Sequence, residues 1–189
     1  IQNYTKKPFY EVRFKDENGI VFSVKDNDDR FDSPDDIDLG KFYNSDVVTQ
    51  SATEKSTAPG KLLDLAALSS ILAEKGYTAK TVLDTYQKMY EDHIVSYPRT
   101  EDKTITSEQF SELLPLADKI ADVVGVDKSL LTHRQARKTH VKDEGAHGAN
   151  RPGTKVPRSL EELSSKYGAA AADIYETVAR NFLAILAEN

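Results

Sequence analysis

No cysteine occurs in the 189 residues. That excludes a disulfide framework and any thiolate-bound metal, leaves redox chemistry without an obvious carrier, and makes packing the source of stability. Long apolar runs are missing too: nothing approaches the roughly 20 consecutive residues of a membrane span, and the first residues lack the basic start and apolar stretch of a signal peptide. A soluble, cytoplasmic protein is expected. There is no internal repeat or low-complexity tract. The chain opens on Ile1 rather than methionine, with a strand-like segment already under way, as expected of a piece of a longer protein. A surplus of positive charge is also lacking. The net charge of −6 weighs against a nucleic-acid partner, since phosphate binding is driven by clustered Lys and Arg.

What is present qualifies that last exclusion. The 39% hydrophobic content suffices for a core in at least one of the one or two domains this length allows. Between Leu131 and Arg158 stand seven basic residues (Arg134, Arg137, Lys138, Lys142, Arg151, Lys155, Arg158) against Asp143 and Glu144, a local +5 that leaves −11 for the remainder. Three of the four histidines, His133, His140 and His147, lie in the same ribbon. An anionic ligand is expected to dock there.

Along the chain, Lys7 to Val24 alternates β-branched and aromatic residues around Asn18-Gly19, a β-hairpin pattern. The Asp-rich stretch from Lys25 to Gly40 is expected to be an exposed loop or edge with little burial, and Asp46 to Thr49 a short strand. The Ser/Thr/Ala/Pro/Gly run from Ser51 to Gly60 reads as a linker, dividing a β-rich segment (1–58) from a helical domain (59–189). In the second part Leu62 to Lys75 has helical spacing and stops at Gly76; Thr78 caps a second helix whose apolar face is Val82, Leu83, Tyr86, Met89 and Tyr90. The pair suggests a helix-turn-helix. Thr106 to Gln109 is a capping box opening a helical region to Val124, broken by Pro115, and Tyr167 to Leu186 forms a last helix. The class is therefore α+β. The glycine- and proline-broken basic ribbon is expected to be a loop.

Two constellations carry possible chemistry. The first is Ser96-Tyr97-Pro98-Arg99-Thr100. A tyrosine hydroxyl, with an ordinary pKa of about 10, needs nearby positive charge to act as a nucleophile. Arg99 supplies a guanidinium two residues on, which also offers paired donors to phosphate oxygens. On the residues alone a packed ring at a turn is the more ordinary reading of a Tyr-Pro pair. The second is Glu144 to Pro152, EGAHGANRP, where glycines allow close approach of backbone to phosphate while His147 and Arg151 donate to it. A surface loop with an idle histidine fits the same composition. Histidines at steps of seven also suggest a metal, but Gly145 interrupts the helix that would align them, so no metal site is expected here.

SYPRT followed about fifty residues later by AHGANRP resembles the paired signature of type IA DNA topoisomerases. LLDLAALSSILAEKGYTAKTVLDTYQKMYE is similar to that family's helix pair leading to the active-site tyrosine. KPFYEVRF resembles the opening strand of its β-rich gate domain, and IYETVARNFLAIL the helix closing the tyrosine-bearing domain. Two departures stand out: Glu101-Asp102 where the family usually has Asp then Ser, and Asn150 in place of an apolar residue. The resemblance implies a helical domain of helix-turn-helix or winged-helix character. It also implies that Tyr97 attacks one DNA strand to form a 5′-phosphotyrosyl link, resealed without ATP, and that Arg99 positions the phosphate. His147 and Arg151, with Lys142 and Arg137 of the ribbon, become the DNA-binding candidates. DNA, chiefly single-stranded, is the implied partner. A Toprim domain with acidic Mg²⁺ ligands is implied outside this chain, so these residues alone are expected to be inactive.

Three other readings stay open. A non-catalytic single-stranded nucleic-acid-binding module would use the same basic ribbon. A tyrosine recombinase would place its arginines and histidines upstream of the nucleophile. A structural interaction domain would have no salt-dependent DNA affinity.

Overall fold

The computed structural model describes residues 7–23, 30–42 and 53–188. The chain divides into two compact units, Ile1–Glu54 and Lys55–Asn189. Among the described residues, no helix is long and apolar enough to cross a membrane.

The first unit holds four short strands: β1 (Tyr10–Glu11), β2 (Arg13–Lys15), β3 (Val21–Ser23) and β4 (Arg30–Phe31). β2 and β3 form the expected hairpin, with Phe14 opposite Phe22 and the turn closed by the Ile20 N–H donating to Asp16 Oδ1 at 2.7 Å. β1 pairs with β4, so part of the Asp-rich stretch forms an edge, one of the two forms expected of it. Its two ladder residues, Arg30 and Phe31, are the only bulky pair in an acidic run; Phe31 packs edge-on to Phe42, and Arg30 lies 4.1 Å over the Phe9 ring. The strand expected at Asp46 to Thr49 lies outside the described residues.

The second unit is helical. α1 (Leu65–Ala73) starts later than periodicity suggested, because Asp64 caps it by accepting from the Ala67 N–H, while Leu63 is extended and bridges Asn150. α2 (Ala79–Glu91) begins at the expected Thr78 cap. α3 (Ser107–Leu113) has the full capping box of Thr106 and Gln109, a single turn containing Pro115 follows, and α4 (Ala117–Val124) ends at Gly125. The expected last helix is α6 (Ala169–Ala184), and a separate helix not expected, α5 (Leu160–Tyr167), precedes it and stops at Gly168. α6 is the hub, packing against α1, α2, α4 and α5 through fully buried Ile174, Tyr175, Val178 and Phe182.

Candidate active site

α2 delivers the chain to the site. After Glu91 the backbone reverses through His93, which adopts a left-handed φ of 63° although it is not glycine, and runs on as an extended segment through Ile94, Val95 and Ser96. That segment pairs antiparallel with 151–153. The Ser96 N–H donates to the Arg151 carbonyl at 3.0 Å, Val95 bridges Pro152, and the Gly153 N–H donates to the Ile94 carbonyl at 2.8 Å. A side chain at Gly153 would overlap the His93 carbonyl oxygen, so only glycine permits this approach. The two sequence constellations are thus one structure, edge to edge.

Side chains close the seam. The Ser96 hydroxyl donates to the Ala149 carbonyl and accepts from the Arg151 N–H at 3.1 Å, with the buried Tyr86 hydroxyl 3.3 Å away. Burial pushes the Tyr86 phenol well above its ordinary pKa, so it remains a neutral hydrogen-bonding group. Asn150 is fully buried beneath. With its amide oriented to suit its neighbours, it donates to Tyr86 Oη at 3.2 Å and to the Pro98 carbonyl at 3.3 Å, and accepts from the Leu65 N–H at 3.0 Å. The departure from an apolar residue here is a hydrogen-bonded clamp on the residue after Tyr97.

Tyr97 is partly exposed, its ring set 5.5 Å edge-on from Tyr90 and 4.6 Å from the His147 ring. Arg99 is exposed, makes no ion pair among the described residues, and edges a cleft with Leu65, Ala66 and Ser69 of α1. His147 is exposed and Arg151 half-buried. The Arg151 guanidinium donates to the carbonyls of His147 (3.2 Å) and Ala149 (3.0 Å), and burial lowers its pKa from the usual arginine value. Tyr97, His147 and Arg151 are therefore brought together, whereas Arg99 edges the cleft along α1, which none of the three lines.

Arg137 and Lys142 lie elsewhere. Arg137 donates to the carbonyls of Ile185 and Ala187, past the end of α6, where a cation also meets the negative end of the helix dipole. Lys142 is exposed, 3.3 Å from Glu144, and shares a cleft with Lys61 and Lys138. His140 is a core residue: one ring nitrogen lies 2.9 Å from the Thr139 hydroxyl, the other 2.9 Å from the Gly60 carbonyl. Sequence reasoning gave Ser96 and Asp102 no role at the site and read Gln109 only as part of the capping box, and no spacing rule marks what else these three hold. They serve backbone groups that only the folded chain brings near.

A family model described as DNA topoisomerase matches residues 1–189. The DNA topoisomerase 3 of Shouchella clausii is 29% identical over 201 aligned positions, covering 97% of this chain and 27% of the relative. That of Bacillus licheniformis is 31% identical over 155 positions, covering 74% and 19%. That of Bacillus subtilis is 27% identical over 215 positions, covering 98% and 27%. The chain thus spans between 19% and 27% of the length of these relatives.

Proposed function

Because this chain belongs to the type IA DNA topoisomerases, we propose that it carries the cleaving tyrosine of an enzyme that opens and reseals one DNA strand without ATP. Tyr97 is the nucleophile. Its Oη attacks a backbone phosphorus and loses its proton; the bond from phosphorus to the 3′ oxygen breaks, and that oxygen takes up a proton. The 5′-phosphotyrosyl link conserves the phosphodiester bond, so reversal needs no energy input. Arg99, exposed two residues past Tyr97, offsets charge on the phosphate, and His147, against the Tyr97 ring, donates to it. The observation that carries this reading is the 4.6 Å contact of Tyr97 with His147 inside a stitched pair of loops.

The DNA is single-stranded at the point of attack. Lys61, Lys138 and Lys142, around one cleft, extend the phosphate contacts. Arg137 and Arg151 donate to backbone carbonyls, so their part is indirect: Arg151 props the His147 loop and Arg137 fixes the start of the ribbon. Other segments of the enzyme supply Mg²⁺ and its ligands. Among the described residues no group of three or more His, Asp or Glu side chains stands close enough to hold a metal, and no step above runs through one.

The test uses the full-length enzyme carrying this segment, labelled single-stranded DNA and Mg²⁺, denatured after mixing. Label is expected to stay on the protein and to vanish with Tyr97→Phe while DNA affinity persists. Binding without any adduct in either protein would transfer the assignment to a non-catalytic binding module.

A further inference from the structure

The loop that carries His147 is an excursion with its ends side by side. It leaves where the Lys142 N–H donates to the Ile105 carbonyl (2.9 Å) and returns where the Ala149 N–H donates to the Thr104 carbonyl (2.8 Å). An excursion this rich in glycine gains little order from its own residues. Its conformation is imposed from the stretch that follows Tyr97. Asp102 Oδ2 accepts from the N–H of His147 (3.0 Å) and of Gly148 (2.8 Å). Gln109, already committed to the capping box of α3, donates to the His147 carbonyl at 3.2 Å. Asp143 fixes the loop's foot on the Ser107 N–H and hydroxyl at 2.8 and 3.0 Å.

Asp102 stands apart in this set because one carboxylate oxygen accepts from two consecutive backbone N–H groups, that of His147 and that of Gly148. A Cβ at Gly145, where φ is +90°, would lie 2.7 Å from its carboxylate, so the loop is closed down upon this group. The His147 N–H, with those of Gly148 and Ala146, holds the carboxyl below its ordinary pKa, so it is an anion near neutrality and bonds two amides with charge assistance.

We infer that Asp102 is a positioning residue for the cleavage step: its carboxylate, reaching from the tyrosine segment, fixes the His147 backbone so that the imidazole stands against the Tyr97 ring. It touches neither substrate nor reacting atoms and acts through His147. The inference rests on the proposed role of Tyr97 and His147. It assigns a function to one of the two positions where the sequence departs from the family signature.

The experiment is a double-mutant cycle in the full-length enzyme, with adduct formation followed in single turnover and DNA affinity measured separately. Asp102→Ala is expected to slow adduct formation about tenfold to a hundredfold, the scale set by a misplaced catalytic group, with little change in affinity. Asp102→Asn, whose amide oxygen still accepts from both N–H groups, should recover most of the rate. In His147→Ala, adding Asp102→Ala should cost little more, because both changes remove one function. Multiplicative losses in the double variant, or an undisturbed rate in Asp102→Ala, would overturn the inference. An independent readout needs no catalysis: amide exchange at 145–149 should rise at least severalfold in Asp102→Ala and stay near wild type in Asp102→Asn, and unchanged exchange in Asp102→Ala would also overturn it. Tyr97→Phe runs alongside; loss of its adduct with a failed cycle sinks the positioning role alone, whereas a persisting adduct sinks the nucleophile and this inference with it.

Discussion

At the scale of single residues, the seam between the two loops tolerates no added atom at Gly153, whose position is set by the His93 carbonyl. Gly153→Ala is expected to destabilise the second unit by roughly 1–3 kcal/mol, the cost of overpacking a site that cannot relax. Urea denaturation of the chain checks this; an unchanged midpoint would show that the seam opens freely. The residues that form the seam were unequally legible. Tyr97, Arg99 and His147 stand out because their chemistry is carried by side-chain type within short motifs. Ser96, Asp102, Gln109 and Asn150 act on backbone groups 38 to 85 residues away in sequence, and no local pattern records such a partner. Asn150 in the sequence is only a polar residue in an apolar place; buried, it is the clamp on Pro98.

At the scale of elements, the clearest dual use is the N-terminus of α3. Its capping box satisfies the helix and, through Gln109, also holds the His147 carbonyl. Thr106→Ala is expected to cost about 1 kcal/mol of stability by removing the cap. It should also loosen the 145–149 loop, read as faster amide exchange there than in α6; equal change in both would mean that only global stability fell. Caps were readable from the sequence at Thr78 and Thr106 because capping is local chemistry. The start of α1 was not, since Leu62 and Leu63 continue its apolar spacing but serve instead as a buried residue and an extended partner of Asn150. Nor was α5, whose one fully buried side chain, Leu163, leaves little apolar pattern to read.

At the scale of the whole second unit, aspartates pin elements that meet late in the chain. Asp92, just past α2, accepts from Lys166 and Tyr167 of α5, which hold its carboxyl below the ordinary range. Asp173 of α6 meets Lys75 and Tyr77; burial raises its pKa, but the two donors outweigh it and the net shift is downward. With Asp102, these are groups whose folded pKa lies below the unfolded value. Their stabilisation is therefore full above the unfolded value of about 4 and is lost as pH falls through the folded values. The thermal midpoint is expected to stay level from pH 7 to about 5 and to fall below about pH 4, less steeply in Asp92→Asn. A midpoint that stayed level to pH 2 would contradict this accounting.

The His147 loop leaves and returns on neighbouring rungs, at Ile105 and Thr104. Its contour length is thereby uncoupled from the rest of the molecule: residues can be gained or lost between Glu144 and Ala146 without shifting the register of any helix or the seat of Tyr97. A change of length there is confined to this cassette: it would move the His147 backbone that Asp102 holds and leave the frame that seats Tyr97 constant.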